Sequence, residues 1–228
     1  MSKNLVIVES PAKAKTIEKF LGPDYVVKSS IGHIRDMPKK DMGVDIENNF
    51  QPTYAISADK KKVVADLKKS VKTATKIFLA TDEDREGEAI AWHLQQALSL
   101  AEDTPRIVFH EITKGAITDA INNPRTIDTD LVNAQQARRI IDRLVGFEIS
   151  PVLWRKISGA RSAGRVQSPV VRIVVERERE ISAHSPTSSH KVKANLANSS
   201  NQSLEVKLSV DFKSKEELIL SKNQINTY

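Results

Sequence analysis

The chain has 228 residues, of which 39% are hydrophobic, and this is enough for one large or two modest packed domains. It has no cysteine, which excludes disulfides and thiolate metal sites, and no apolar run long enough for a signal peptide or a membrane span, so we expect a cytoplasmic protein. Lys and Arg outnumber Asp and Glu by 35 to 29, and the net charge of +6 favours a polyanionic partner.

The first half of the chain alternates short apolar runs with helical patterns, which is typical of a parallel α/β sheet. Strands are predicted at residues 5–8, 25–27, 77–80 and 106–109. Helices are predicted at residues 12–21, from residue 57 through a lysine-rich segment, at 89–98 and at 116–121, the last capped by Thr113.

After Pro124 the pattern becomes helical. A helix is predicted at residues 130–145, ending at Gly146. Its buried face is predicted from the apolar residues at helical spacing, namely Ala137, Ile140, Ile141, Leu144 and Val145. The opposite face carries a polar stripe of residues four apart, Gln135, Arg139 and Arg143. A further helix is predicted to begin at residues 168–169, and a strand at 204–210.

Acidic side chains follow two of the predicted strands. Asp82, Asp84 and Glu86 come after strand 77–80, and Glu9 follows strand 5–8. Ligands of open α/β sheets bind beyond the carboxyl ends of the strands, and Mg²⁺ prefers carboxylate oxygens. The sequence therefore predicts a shared Mg²⁺ site. The alternative is that these acidic groups only complement a helix N-terminus.

Basic residues supply candidate phosphate contacts. Lys13 stands in the first turn of a helix, where a cation opposes the helix dipole, so an anionic phosphate nearby would explain it. Arg138, Arg139 and Arg143 either contact phosphates or form an ion-paired surface with Asp142. Phe147 either stacks on a base or packs in the core. The loop 162–168 joins small residues to Arg165 and Gln167 before a helix start.

Several of these segments match one family. Residues 8–15 (VESPAKAK) and 80–88 (ATDEDREGE) resemble the two signatures of the TOPRIM domain. Segments 32–34 (GHI), 109–113 (FHEIT), 137–146 and 162–168 occur in the order found in bacterial type IA DNA topoisomerases. The resemblance runs from Asn4 to about Ile181. It implies a Rossmann-like parallel sheet flanked by helices, then a helical domain and part of a β-containing arch.

The resemblance also implies an activity. A type IA enzyme relaxes negatively supercoiled DNA without ATP: it breaks one strand through a 5′-phosphotyrosyl intermediate, passes the other strand and reseals the break. The implied partner is therefore single-stranded DNA in negatively supercoiled duplex, with Mg²⁺ as cofactor, and the implied protein is a monomer.

By the family pattern, Mg²⁺ is held by Asp82, Asp84 and Glu86, with Glu9 nearby. Glu9 also protonates the leaving 3′-oxygen, and Lys13 stabilises charge on the phosphate. Arg106 and Arg138 support the site. The implied DNA contacts are His33, Arg139, Ile140, Arg143, Glu148, Arg155 and the loop residues Ser162, Ala163, Gly164, Arg165, Val166 and Gln167, to which the chemistry above adds Phe147.

The sequence departs from the family in one respect. The family's nucleophile lies in a Tyr-x-Arg-Thr-Asp motif, and Tyr25, Tyr54 and Tyr228 lack that context. The chain is therefore predicted not to cleave DNA by itself. The predicted domains are a TOPRIM domain at 1–127, a helical DNA-groove domain at 128–185 and the start of the arch at 186–228. The alternatives are a single-strand-binding module without catalysis and a TOPRIM nuclease or primase.

Overall fold

The computed structural model describes residues 3–187 and 189–207 and the single residues Lys213, Glu216 and Ile219. The chain divides into two compact units, residues 1–168 and 169–228. The three predicted domain ranges stay predictions. Tyr228 and the second half of predicted strand 204–210 lie outside the described residues.

The first unit is built on a three-stranded parallel sheet. Its strands are β1 (Asn4–Val8), β2 (Tyr25–Ser29) and β7 (Ile77–Ala80), in the order β2-β1-β7. Four short strands form two small antiparallel pairs: β3 (Arg35–Asp36) with β6 (Ala55–Ile56), and β4 (Val44–Asp45) with β5 (Gln51–Pro52). The predicted α/β class, with a helical region after it, is confirmed.

Helices cover both faces of the sheet. They are α1 (Pro11–Leu21), α2 (Lys61–Thr73, after a 3₁₀ turn at Ala58–Lys60), α3 (Arg85–Leu98) and α4 (Lys114–Asn122). Leu5 and Ile7 of β1 pack in a core cluster with residues of α2 and α3, whereas Val6 and Val8 pack with residues of α1 and α4. Because side chains alternate along a strand, a strand covered on both faces must be apolar throughout. This requirement explains the run Leu5 to Val8.

The predicted strand at 106–109 is wrong. Arg106 forms only isolated bridges, parallel to Leu79 and antiparallel to Arg125, and Ile107 donates one further hydrogen bond to the Leu79 carbonyl. The apolar run reflects burial of Ile107 in the core, not strand pairing along its length.

The helix predicted at 130–145 is longer than its pattern indicated. Helix α5 runs over Thr129–Lys156, through Gly146 and Pro151. Gly146 does not end it, because a glycine terminator needs a positive φ and Gly146 has none. An interior glycine costs only about 1 kcal/mol relative to alanine, which a long helix tolerates.

The predicted buried face of α5 is also wrong. Its fully buried residues are Val132, Gln135 and Ser150, whereas Ala137 and Ile141 are exposed. Gln135, assigned to the open face, is buried against α3 because it binds Glu86 of that helix. Tertiary contact thus overrides the apolar pattern.

The second unit contains most of α6 (Gln167–Ala183), which begins one residue before the predicted start. It also contains a hairpin of β8 (Lys193–Ala197) and β9 (Ser203–Lys207). Among the described helices of the whole chain, none is long and apolar enough to cross a membrane.

A buried carboxylate ties the first unit together. The Glu88 side chain is fully buried and receives hydrogen bonds from Arg106 Nε (3.2 Å) and from both Arg125 Nη atoms (2.7 and 2.9 Å). The backbone N–H of Asp128, which caps α5, donates to it as well (2.7 Å). Burial alone would raise the pKa of Glu88, but these partners outweigh it and lower that pKa. One side chain thus joins α3 to the segment that leads into α5.

We expect Glu88→Gln to destabilise the protein strongly. The amide keeps the size of the side chain but leaves the fully buried Arg106 guanidinium without its counter-charge. Breaking a buried pair in this way costs about 3–5 kcal/mol. Urea unfolding measures the loss, with Glu102→Gln at an exposed loop position as the control. A loss below about 1 kcal/mol would contradict the role given to Glu88.

Candidate active site

The ends of β1 and β7 bring two predicted site residues together. These strands are parallel neighbours with Val8 paired to Ala80, so Glu9 and Asp82 leave the same edge of the sheet. The loop before His33 lies at this edge too, because the Gly32 N–H donates to the Glu9 carbonyl (2.7 Å). The prediction that acidic residues gather at the strand ends is therefore met for Glu9 and Asp82.

Lys13 joins the two carboxylates. It lies in the first turn of α1, whose N-cap is Ser10, and its Nζ donates to Glu9 Oε1 (2.5 Å) and to Asp82 Oδ1. Burial opposes the charge of Lys13, but the hydrogen bonds to Asp82 and Glu9 outweigh it and raise its pKa. The unfavourable placement of a cation at a helix start is thus offset by hydrogen bonds to two carboxyl groups.

The ionised form of Asp82 is favoured by the same hydrogen bond from Lys13. Burial favours its neutral form, but the hydrogen bond from Lys13 and then that with Glu9 outweigh burial, so the pKa of Asp82 is lowered. The three groups form a compact cluster of one amine and two carboxyl groups.

Arg106 fixes the backbone of the acidic turn, which is the segment of residues 82–86 that follows β7 and enters α3. Arg106 Nη1 donates to the Thr81 carbonyl (2.9 Å) and Nη2 to the Asp82 carbonyl (2.6 Å). Thr81 Oγ1 donates to the Gly87 carbonyl (2.5 Å), and a Cβ added at Gly87 would collide with the Asp82 backbone. Arg106 is therefore a positioning residue that orients Asp82, and glycine is required at 87 by close backbone approach.

Asp84 and Glu86 point elsewhere. Asp84 is the N-cap of α3 and accepts from the Gly87 N–H (2.8 Å). Glu86 accepts from Gln135 Nε2 (3.2 Å) and lies 3.6 Å from His33 Nε2. Within the described residues no three Asp, Glu, His or Cys side chains are grouped as metal ligands.

The chemistry of the cluster nevertheless fits Mg²⁺. This ion is commonly bound through one or two carboxylates together with substrate phosphates and waters, and Glu9 and Asp82 supply two adjacent carboxylates. The assignment of Asp84 and Glu86 as further ligands stays a prediction.

The polar stripe extends away from the acidic turn along α5. Gln135 binds Glu86, Arg139 Nη2 binds both Asp36 oxygens (2.8 and 2.7 Å), and Arg143 Nη2 donates to the Pro38 carbonyl (2.9 Å). The Arg143 guanidinium also lies over the Phe147 ring, 5.4 Å from its centroid. Burial alone would raise the pKa of Asp36, but the hydrogen bond and the charge of Arg139 outweigh burial and lower that pKa. Asp36 and Arg139 therefore form an ion pair.

The stripe leads into an open depression of about 270 Å³. It is lined by Arg139, Asp142, Arg143, Gly146, Phe147, Ser150 and Ser162. The predicted loop closes one side, where the Ala163 N–H donates to Ser150 Oγ (2.9 Å) and Arg165 Nε donates to Asp142 Oδ1 (2.8 Å). Helix α5 and the loop 162–167 are therefore in direct contact, so their side chains are able to form one continuous surface.

The other residues predicted to contact DNA do not line the depression. Arg138 and Ile140 are half-buried on α5, and Glu148 and Arg155 are exposed, with Arg155 Nε donating only to the Pro151 carbonyl (3.3 Å). In the loop, Gly164 is half-buried, whereas Val166 and Gln167 are exposed, and Gln167 lies 3.5 Å from Ser162 Oγ.

The structure adds residues that the sequence did not single out. Glu88 and Arg125 anchor the acidic turn, and Glu88 stands within the second signature, two positions after Glu86. Arg35, Tyr54 and His93 line a partly open cavity together with His33. Their convergence is a tertiary property with no local pattern in the sequence.

His93 is kept neutral in this cavity. Burial lowers its pKa from 6.5 to about 3, and the nearby charges of Arg35 and His33 act in the same direction. Its ring packs edge-on against Tyr54, with centroids 4.6 Å apart.

We expect His93 to make stability pH-dependent. Between about pH 6.5 and pH 3 the unfolded chain binds a proton at this ring and the folded chain does not, so stability falls as pH falls. Relative to His93→Gln, the wild-type chain should lose about 1.4 kcal/mol for each pH unit below 6.5. Urea unfolding at several pH values measures the difference. His184→Gln, at an exposed position, is the control, and equal slopes for wild type and His93→Gln would contradict the buried neutral ring.

Comparison with known proteins accounts for both parts of the chain. Residues 4–112 match the family model of the Toprim domain, and residues 126–228 match that of DNA topoisomerase. The structure resembles full-length topoisomerase I from Thermotoga maritima, with 44% sequence identity and a TM-score of 0.71. The match covers 95% of this chain and 37% of that protein, so the chain spans just over a third of its length.

Both the local signatures and the global fold thus agree with one family. Toprim domains bind divalent metal, typically Mg²⁺, which accords with the paired carboxylates at the strand ends. By its Toprim and topoisomerase domains, the chain belongs to the bacterial type IA DNA topoisomerases.

Proposed function

We propose that this protein acts in the relaxation of negatively supercoiled DNA by transient breakage, passage and rejoining of a single strand. The observation that carries the proposal is the Glu9–Lys13–Asp82 cluster at the strand ends, with the polar stripe of α5 extending from the same acidic turn. We also propose a cytoplasmic monomer, in accord with the chain's family.

Glu9 and Lys13 each have a chemical task in that reaction. A tyrosine hydroxyl gives up its proton to water as its oxygen attacks the backbone phosphorus, and the P–O3′ bond breaks. Glu9, in its protonated form, supplies a proton to the departing 3′-oxygen. Lys13 places a positive charge beside the phosphate, where negative charge develops. Mg²⁺ held by the Glu9 and Asp82 carboxylates would supply positive charge that neutralises phosphate oxygens.

The DNA strand is proposed to follow the polar stripe into the depression. Arg139 and Arg143 then exchange their internal partners, Asp36 and the Pro38 carbonyl, for backbone phosphates. Phe147, at the wall of the depression, offers a ring for base stacking. Arg138, Ile140, Glu148, Arg155 and the loop 162–167 complete the proposed strand contacts.

Single-strand binding without cleavage is the second candidate. It is favoured by the placement of the described tyrosines: Tyr25 packs against Phe78 and Tyr54 against Trp92 and His93. Tyr25 packs against a core cluster of the first unit, and the Tyr54 ring is held between aromatic neighbours. A nuclease or primase reaction needs only the acidic turn and does not account for the arginine-lined depression.

We expect Mn²⁺, used as a paramagnetic substitute for Mg²⁺, to bind through the strand-end carboxylates. Water proton relaxation should show saturable binding by the wild-type chain, and Glu9→Gln combined with Asp82→Asn should weaken it at least tenfold. Glu102→Gln combined with Asp103→Asn, at exposed positions, is the charge-matched control. Undiminished binding by the strand-end variant would exclude Glu9 and Asp82 as the metal site.

We expect Arg139→Ala combined with Arg143→Ala to weaken binding of a single-stranded oligonucleotide. Each lost phosphate contact should reduce the slope of log affinity against log salt by about 0.7, so the double variant should lose about 1.4. Fluorescence anisotropy across a salt series measures both quantities. Lys68→Ala combined with Lys69→Ala removes the same charge from exposed positions of α2 and should bind as wild type does. Equal slopes for the two double variants would show that the stripe is not a phosphate track.

A further inference from the structure

The cavity beside His33 contains an unusual concentration of unmade hydrogen bonds. Arg35 Nη1, Tyr54 Oη and His93 Nδ1 are buried and have no hydrogen-bond partner. All three residues line one cavity of about 130 Å³, together with His33, Asp36, Glu86, Gln135 and Arg139. Buried polar atoms in folded proteins are nearly always paired with protein, water or a bound ion, so three such atoms in one cavity mark it as a place for a polar guest.

The three atoms come from separate parts of the first unit. Arg35 lies in β3, Tyr54 precedes β6, and His93 lies in the middle of α3 with 3% of its surface exposed. Packing alone would favour apolar side chains at these positions. The three side chains instead bring polar atoms to the wall of the cavity.

The formal charges of the lining, Arg35 and Arg139 against Asp36 and Glu86, sum to zero, but the Arg35 cation is left without a carboxylate partner among the described residues. The Asp36 carboxylate is neutralised by Arg139, and Glu86 accepts from Gln135 and faces His33. Arg35, by contrast, makes no ion pair with any described residue, and its guanidinium lies 5.6 Å from the centroids of the Tyr54 and Trp92 rings. A partly buried guanidinium without a carboxylate partner is able to receive an anion.

The remaining groups act as donors. Burial raises the pKa of the Tyr54 hydroxyl, so it keeps its proton, and burial keeps the His93 ring neutral, with one N–H to donate. The Glu86 and Asp36 carboxylates repel an anion, which confines it to the side of the cavity formed by Arg35, Tyr54 and His93.

We propose that this cavity binds an oxyanion of the phosphate class, held by Arg35, Tyr54 and His93. The volume is that of about four water molecules at ~30 Å³ each, which suits a single tetrahedral group. The oxyanion is either free phosphate or a backbone phosphate of a bound DNA strand. Binding of a DNA backbone phosphate rests on the proposed function, whereas binding of free phosphate does not.

Isothermal titration of the whole chain with inorganic phosphate, at an ionic strength held constant with NaCl, tests the site. We expect saturable binding at one site, weakened about tenfold or more by Arg35→Met and about threefold to tenfold by Tyr54→Phe. Lys62→Met removes a charge from an exposed position of α2 and should bind phosphate as wild type does.

Thermal unfolding gives a second readout that does not depend on Arg35. In phosphate-free buffer Tyr54→Phe removes an unpaired buried hydroxyl, so its Tm should equal or exceed that of wild type. Phosphate should raise the Tm of wild type more than that of Tyr54→Phe. A Tm well below wild type without phosphate would mean that the hydroxyl has an internal partner, and this result would overturn the proposal.

A single-stranded oligonucleotide distinguishes the two sources. If the anion is a backbone phosphate, the oligonucleotide displaces phosphate and Arg35→Met weakens oligonucleotide binding about tenfold. If it is a free ion, phosphate binds with the oligonucleotide present and Arg35→Met leaves oligonucleotide binding unchanged. Absence of phosphate binding together with unchanged oligonucleotide binding by Arg35→Met would overturn the proposal. Phosphate binding without any oligonucleotide binding by wild type would instead count against the proposed function.

Discussion

The buried ion cluster of Glu88 with Arg106 and Arg125 is the interaction on which the rest of the first unit depends. Its members come from α3 and from two segments of irregular backbone that bridge to each other, and it also binds the N-cap backbone of α5. The Arg106 guanidinium, held by Glu88, then donates to the carbonyls of Thr81 and Asp82. A charge pair excluded from water thus sets the position of the acidic turn at the surface.

The acidic turn separates three carboxylates into three roles. Asp82 binds Lys13, Asp84 caps α3, and Glu86 reaches α5. Asp82 precedes the helix and Asp84 is its N-cap, so only Glu86 has helical geometry. The turn therefore connects the strand ends, the start of α3 and helix α5 at one point.

Helix α5 extends from its contact with the acidic turn to the depression. Because it continues through Gly146 to Lys156, Gln135, Arg139, Arg143 and Phe147 lie along one face over three turns. The missing side chain of Gly146 leaves part of the depression open. Conversely, Ile141 of the predicted inner face remains exposed, because α5 is held to α3 by the hydrogen bond from Gln135 to Glu86.

Local sequence determined the elements whose pattern and end signals agree. The run Leu5 to Val8, the Gly22 stop of α1 and the Thr113 cap of α4 each specify structure within a few residues, and the signature motifs specify the family. Only the tertiary structure decided which charges are buried together. The pairing of Glu88 with Arg125, the unpaired cavity atoms of Arg35, Tyr54 and His93, and the burial of Gln135 all join residues far apart in the chain. The free energy of a charge or a polar atom depends on what surrounds it in space, and chain order alone does not state those surroundings.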